Sequence, residues 1–178
     1  SRREFAHHAS SRRIILSALL RAARPSLFVS RRIPAAADDV YAAWIEPARI
    51  ARWWAPGDAR TLCASIDPRA GGSFVVMIET ASGEPRIGGG VYREAKQSKK
   101  LVFTWAWRDA PERESLVTVL FRDSGADTML TIIHEHLAEV ALCDAYARDW
   151  DDALAQLAAL FSTCPPPPFD ATPFKRQT

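Results

Sequence analysis

The sequence predicts an α+β fold in which a curved antiparallel sheet of about six to seven strands packs on one long C-terminal helix. Between residues 61 and 136, segments of alternating apolar and polar side chains follow one another with no helical segment between them. Consecutive strands of this kind exclude a parallel βαβ sheet. Residues 138–161 then repeat apolar side chains at the helical period. A helix of that length spans about 36 Å, so only a wide sheet can cover its apolar face.

Before the sheet, the chain predicts one strand and two short helical segments. Residues 27–33 predict the strand, and a helix through Trp44 follows with Asp38 as its N-cap. Residues 49–54 predict a further helical turn. The later strands are predicted at residues 61–66, 73–80, 86–94, 101–108, 114–122 and 127–136. The glycines at residues 88–90 predict a bulge or a strong bend in the third of these strands.

Composition divides the chain into three predicted segments: a basic leader (1–26), one domain (27–162) and a proline-rich tail (163–178). Residues 1–24 hold six arginines and one glutamate, a net charge of +5, whereas the remaining residues hold 17 basic and 20 acidic side chains, a net charge of −3. The overall charge of +2 therefore comes from the leader, and we expect no nucleic-acid partner. The composition of the leader fits either an organelle presequence or a disordered tail.

Cysteine usage and hydropathy favour a cytoplasmic protein. The three cysteines, Cys63, Cys143 and Cys164, form no C-x-x-C pair, which argues against a disulfide framework or a zinc cage and favours a reducing compartment. No apolar run approaches the roughly 20 residues that span a bilayer, so we expect no membrane span.

The sequence His134-Glu135-His136 raises the question of a metal site. In a strand, both histidines share one face and Glu135 lies on the other. Two ligands are too few for zinc, and the spacing differs from the helical H-E-x-x-H motif, so we expect neither a metal nor another cofactor. Two interpretations of His134 remain: a polar group in an apolar pocket, or a hydrogen-bonded histidine of the core.

Several motifs along the chain together resemble one known superfamily. They lie at residues 32–35, 40–44, 52–56, 67–74, 101–105, 114–119, 128–134 and 150–157. In this order they resemble the SRPBCC (START-like) superfamily, and within it the group named after the homologue of the activator of the heat-shock-protein-90 ATPase. The resemblance covers residues 27–162. It implies the helix-grip fold with a hydrophobic cavity between the helix and the curved sheet, but it does not imply one ligand or one reaction.

Two positions depart from the pattern of that group. Asp149 stands where a glycine usually precedes the tryptophan, and residues 136–138 replace a loop that usually resembles Gly-Phe. Both are predicted to lie where the chain enters the last helix. We therefore expect the mouth of the pocket to differ from that of the group.

The predicted ligand-binding side chains are mostly aromatic and lie on strand or helix faces that are expected to border the cavity. They are Trp44, Trp54, Phe74, Tyr92, Phe103, Trp105, Trp107, His134, Tyr146, Trp150 and Leu154. A large aromatic side chain buries about 150–250 Å², so several of these would fill an ordinary core. Core packing and cavity lining therefore remain alternatives for each of them.

Three functions are consistent with the sequence. The first is a binding domain for a small apolar or aromatic ligand. The second is an enzyme of the polyketide cyclase or aromatase type in which His134 or Tyr92 moves a proton. The third is a co-chaperone with a larger protein partner, and a homodimer is also left open. Because the chain lacks a paired set of acid and base residues, we favour the first and assign no catalytic residue.

Overall fold

The computed structural model describes residues 24–55 and 57–162. Most of the predicted leader and the whole predicted tail lie outside the described residues. In chain order the elements are strand β1 (Leu27–Ile33), helices α1 (Ala37–Ile45) and α2 (Pro47–Ile50), strands β2 (Arg60–Ile66), β3 (Ser73–Glu79), β4 (Pro85–Lys96), β5 (Lys100–Trp107), β6 (Ser115–Ser124) and β7 (Asp127–Glu135), and helix α3 (Val140–Ser162). A short 3₁₀ turn, Pro111–Arg113, lies between β5 and β6.

The strands form one curled antiparallel sheet in the order β1-β7-β6-β5-β4-β3-β2. Neighbouring strands along the chain pair with each other from β2 to β7, and β1 pairs with β7. Helix α3 packs on this sheet. The predicted α+β helix-grip fold is confirmed. In the described part of the chain, no helix is both long and apolar enough to cross a membrane.

The glycines of β4 allow close approach rather than forming the predicted bulge. A Cβ on Gly90 would lie 1.7 Å from the carbonyl oxygen of Thr104. The amide of Val91 donates to the Thr104 hydroxyl at 3.1 Å, so a side chain replaces a backbone partner there. The register shift between β4 and β5 lies further along, between Tyr92 and Glu94. The glycines are needed because β5 lies against Gly88 and Gly90, and β3 lies against Gly89, where a Cβ would be 2.3 Å from the carbonyl oxygen of Phe74.

The first helix starts differently from the prediction. Ala36, in an extended conformation, precedes the first helical residue and makes no side-chain capping bond. Asp38 lies inside the first turn, where its carboxylate accepts a hydrogen bond from the Ser98 hydroxyl. The predicted N-cap was therefore wrong, although a carboxylate in the first turn still complements the helix dipole.

The last strand ends before His136, which adopts φ = +62° and is exposed. His134, by contrast, is fully buried. The two histidines therefore do not share a strand face, and that prediction was wrong. Histidine is one of the residues that adopt positive φ more readily than most, and here the chain leaves the sheet toward α3.

Helix α3 buries the apolar face that its periodicity predicts. Trp150, Ala153, Leu154 and Leu157 are buried in the core. Burying a leucine side chain stabilises a fold by about 1.5–3 kcal/mol, so this face holds the helix on the sheet.

Candidate functional site

The centre of the aromatic cluster is solid core. Trp44 is 1% exposed, and its ring centroid lies 4.7 Å from that of Trp53, 5.5 Å from that of Trp54 and 6.0 Å from that of Trp150. The first pair is tilted, the second is near-perpendicular and the third is stacked, and such spacings and orientations are typical of packed aromatic rings. Trp44 therefore contributes to packing in this structure.

Beside this packed centre lies a small apolar cavity between α3 and the sheet, which we call the inner cavity. Its volume is about 50 Å³. It is lined by Trp54, Ala55, Ile78, Trp105, Trp107, Tyr146, Asp149, Trp150 and Ala153. Pockets for drug-sized ligands measure about 300–1,000 Å³, so the inner cavity is far smaller than the hydrophobic cavity that the resemblance implies.

A second cavity, the outer cavity, adjoins the first and has a volume of about 200 Å³. Both are lined by Trp107, Tyr146 and Asp149. The remaining lining of the outer cavity is Arg86, Ala110, Arg113, Leu137, Ala138, Leu142 and Ala145. A molecule that spans both would have aromatic rings around one end and charged groups around the other.

The structure separates the predicted ligand-binding residues into two groups. Those that line the inner cavity are Trp54, Trp105, Trp107, Tyr146 and Trp150. Those that lie in the core away from both cavities are Trp44, Phe74, Tyr92, Phe103, His134 and Leu154. Strand and helix periodicity places both groups on the same inward faces, and only the packing distinguishes them.

His134 is the hub of a buried hydrogen-bond chain. The Trp150 indole Nε1–H donates to His134 Nδ1 at 3.2 Å. Because this indole can only donate, Nδ1 must be unprotonated, and the neutral ring carries its proton on Nε2. That nitrogen lies 2.7 Å from Ser115 Oγ, so it donates to the hydroxyl. The Ser115 hydroxyl in turn donates to the carbonyl oxygen of Trp105 at 3.0 Å.

This chain fixes both the chemistry of His134 and the geometry of the cavity wall. Burial lowers the pKa of His134 to about 4, so the ring is neutral at pH 7 and both nitrogens are occupied. These hydrogen bonds link the Trp150 indole on α3 to the backbone carbonyl of Trp105 on β5. The residues Trp150 and Trp105 both line the inner cavity. In the described part of the chain, no group of three His, Cys, Asp or Glu side chains is placed to hold a metal ion.

Tyr92 is also embedded in the core. Its ring lies 5.3 Å from that of Phe74 and 5.7 Å from that of Phe103, and the residue is 3% exposed. Burial, with a smaller contribution from Tyr41, raises the pKa of the Tyr92 hydroxyl well above its usual value. The phenol therefore stays protonated throughout the ordinary pH range.

Two further features of this region position the site. A Cβ on Gly88 would lie 2.6 Å from Cη2 of Trp105, so the absence of a side chain there gives the indole its space. The Gln156 amide donates to the Ala55 carbonyl oxygen at 2.7 Å. This bond ties α3 to the segment that carries Trp54. The cavity walls are thus held from three sides by side-chain bonds and packing.

A family model described as Activator of Hsp90 ATPase homolog 1-like protein matches residues 34–162. The match spans more than half of the 178 residues. The chain belongs to this family. The predicted resemblance is thereby confirmed. No curated protein matches the chain.

Solved structures share the fold of this family member at low sequence identity. Protein CV1439 from Chromobacterium violaceum is 24% identical over 78% of this chain and 98% of its own, with a TM-score of 0.69. The AHSA1 protein SPO3351 from Silicibacter pomeroyi is 21% identical over 76% and 96%, with a TM-score of 0.68. DynU16, from the dynemicin biosynthetic locus, is 20% identical over 78% and 47%, with a TM-score of 0.65. Likeness at these identities shows the fold.

The position of Asp149 differs from the one expected from the sequence. It was predicted at the loop entering the last helix, but it lies well inside α3 and lines both cavities. Partial burial raises the pKa of its carboxyl group, Asp152 raises it further, and Arg148 opposes the shift. Arg86 and Arg113 were not predicted as site residues, because nothing in their local sequence marks them. Only the fold brings them to the outer cavity.

Proposed function

We propose that this family member binds a small apolar or aromatic ligand between α3 and β5. The observation that carries the proposal is the composition of the inner cavity, whose walls are indole and phenol rings at the boundary between core and outer cavity. Large aromatic side chains provide much contact area with few rotatable bonds, and their polar edges suit a partly open site.

The walls of this site are pre-organised. The Trp150 indole is joined through His134 and Ser115 to the backbone carbonyl of Trp105, and the Trp105 indole packs against those of Trp54 and Trp107. A wall that is fixed before binding loses little conformational entropy when the ligand arrives. This supports a binding role for the aromatic side chains that line the inner cavity. The other aromatic side chains pack in the core and stabilise the fold.

The volumes favour a ligand of about one ring. An apolar cavity of about 150 Å³ accommodates benzene in a well-studied engineered protein. The inner cavity is smaller than this, at about 50 Å³, and the outer cavity is larger, at about 200 Å³. A single ring with a short polar substituent suits the two together, and a long polyketide-like chain would require the walls to move.

The experiment uses a substitution that fills the inner cavity. Ala153 lines the cavity, and Ala153→Leu adds three carbon atoms to that wall. Ala155→Leu is the matched control, because Ala155 is exposed on the same helix. We expect the neutral probe 4-fluorophenylacetamide to bind the wild type and Ala155→Leu saturably in ¹⁹F NMR titrations. Ala153→Leu should weaken that binding by about tenfold or more, because the larger side chain occupies the space that the probe ring would fill.

Thermal melting of all three proteins completes the test. Overpacking a filled core costs about 1–3 kcal/mol, whereas filling a real cavity leaves the melting temperature of Ala153→Leu close to that of the wild type. Absence of saturable binding to the wild type would refute the proposal. Equal binding by Ala153→Leu would show that the probe lies elsewhere.

The other functions predicted from the sequence gain no specific support from the geometry. The cyclase hypothesis relied on His134 or Tyr92 for proton transfer, and neither side chain lines the inner or the outer cavity. The co-chaperone and homodimer hypotheses remain predictions. We also propose a cytoplasmic location, which is supported by the free thiols of Cys63 and Cys143.

A further inference from the structure

We propose that the ligand is a small aromatic carboxylic acid, with its ring at the inner cavity and its carboxylate bound by Arg86 and Arg113 in the outer cavity. This inference rests on the proposed function and adds the chemical class of the ligand. The arginines line the outer cavity, and Trp107 lines both cavities and so connects them.

Arg86 is held with its guanidinium group against an aromatic wall. The guanidinium carbon lies 4.0 Å from the centroid of the Trp107 ring. Stacking of this kind occupies the face of the guanidinium and leaves its N–H groups pointing outward in the plane. That planar set of donors matches the two oxygens of a carboxylate.

The intramolecular partners of both arginines are loosely bound. Arg86 contacts Asp109 through two bonds of 3.3 Å, and the closest carboxylate contacts of Arg113 are 3.6 Å to Glu139 and 3.8 Å to Glu112. Charge-assisted N–H···O bonds are usually about 2.7–2.9 Å long. The exposed pair Arg31–Asp151 reaches 2.7 Å in the same molecule. The guanidinium groups at the outer cavity therefore retain donor capacity for an incoming carboxylate.

Asp149, on α3, also lines the outer cavity, and its negative charge opposes an anion. The residue lines both cavities, and no ion pair within 4.0 Å joins it to a described residue. The charged residues that line the outer cavity are two arginines and Asp149. The carboxylates that pair with the arginines, those of Asp109, Glu112 and Glu139, belong to residues outside this lining. The arrangement favours a monocarboxylate that approaches the β4 side, away from Asp149.

The experiment compares three probes that share one fluorinated ring. They are 4-fluorophenylacetate, which is anionic at pH 7, neutral 4-fluorophenylacetamide, and cationic 4-fluorophenethylamine. Each is titrated by ¹⁹F NMR into the full chain at low salt. We expect the acid to bind about tenfold more tightly than the amide, because its hydrogen bonds to arginine are charge-assisted, and the amine to bind more weakly than the amide.

Single substitutions then test each charged group. Arg86→Gln and Arg113→Gln should each remove most of the preference for the acid, so that binding of the acid weakens several-fold more than binding of the amide. Asp149→Asn should act in the opposite direction and tighten binding of the acid by about two- to fivefold, because a like charge is removed. Arg122→Gln is the matched control, since Arg122 is exposed on β6 and lines neither cavity. It should change nothing.

The outcomes separate this inference from the proposed function. If the amide binds saturably and the acid binds no more tightly, the inference is overturned and the proposed function stands. If the amine binds most tightly and Asp149→Asn weakens it, the ligand is a cation and the inference is also overturned. If none of the three probes binds, the proposed function is refuted, and the inference that rests on it is refuted as well. An acid preference that survives in Arg86→Gln/Arg113→Gln would also overturn the assignment of these two arginines.

Discussion

The two halves of α3 illustrate how one helix can build both a core and a site. In the C-terminal half, Leu154 and Leu157 are fully buried. In the N-terminal half, Val140 is 72% exposed, and Leu142 and Tyr146 are half-buried beside the outer cavity. The apolar period continues through both halves. The difference lies in the opposing surface, because the N-terminal half borders the outer cavity, which is lined by Trp107, Arg86 and residues of the turn that follows β5.

Where the two halves of α3 meet, between Tyr146 and Trp150, the helix contacts the buried polar side chain of His134. His134 contacts Tyr146 of the N-terminal half, with ring centroids 4.7 Å apart, and accepts the hydrogen bond from Trp150. A satisfied buried network of this kind specifies one arrangement, because breaking it leaves unpaired polar groups. We infer that His134 fixes where the packed half of the helix ends.

The largest expected effect tests whether the two halves of α3 contribute differently to stability, and it requires truncation of one leucine in each half. Leu157→Ala should lower the free energy of unfolding by about 2–5 kcal/mol, because it leaves a hole in a filled core. Leu142→Ala should lower it by less than about 1 kcal/mol, because that side chain borders a cavity and is half-exposed. Urea denaturation of both variants measures the difference. Equal losses would show that the two halves are packed alike.

The next effect concerns the boundary and depends on pH. The pKa of His134 is about 4 in the folded protein and about 6.5 in an unfolded chain. Between these values the unfolded chain binds more protons, so stability rises with pH. The contribution of neutral His134 to the free energy of unfolding is fully present above about pH 6.5 and is lost as the pH falls toward 4. The loss between pH 7.5 and 4.5 should be about 2–3 kcal/mol.

His134→Gln isolates that contribution, because glutamine keeps an acceptor and a donor but does not titrate. Carboxyl groups elsewhere titrate in the same range, so the quantity to measure is the difference between wild type and variant across the two pH values. The wild type should lose about 2–3 kcal/mol more than His134→Gln. Parallel curves for the two proteins would show that His134 is not the buried neutral group described above.

The smallest effect tests whether charge helps to hold the packed half. Arg31 on β1 pairs with Asp151 on α3 at 2.7 Å, and both side chains are solvent-accessible. Asp151→Asn should change the free energy of unfolding by at most about 1 kcal/mol, with a smaller change in high salt. Chemical denaturation at low and high salt provides the measurement. A loss as large as that of Leu157→Ala would mean that the ion pair, rather than apolar burial, fastens the helix.

The strands and helices could largely be predicted from the sequence, because period and turn residues report local structure directly. The errors occurred where a local signal competed with a tertiary contact. Asp38 has the chemistry of an N-cap, but the helix begins after Ala36 and Asp38 bonds to Ser98 instead. The glycines at residues 88–90 predicted a bulge or a strong bend. The register shift lies further along, between Tyr92 and Glu94, and the glycines make room for β3, β5 and Trp105.

The candidate site was predicted only in part. Trp54, Trp105, Trp107, Tyr146 and Trp150 were predicted as lining residues and do line the inner cavity. Phe103 lies on the same strand face as Trp105 but packs against Phe74 at 5.1 Å. The periodicity of apolar residues along a strand or helix does not distinguish a side chain that borders a cavity from one that packs against another ring. Arg86 and Arg113 are distant in the sequence and line one cavity because β4 pairs with β5, which leads into the turn that carries Arg113.

By itself, the sequence determined the fold class, the family and the set of inward-facing side chains, because these follow from period, turn chemistry and ordered motifs. The tertiary structure alone decided which of those side chains are core and which border space. It also decided that His134 is neutral with both ring nitrogens hydrogen-bonded, and that two arginines and Asp149 line the same outer cavity. The physical reason is that cavities and charge pairs depend on distances between segments remote in sequence, and local patterning carries no record of those distances.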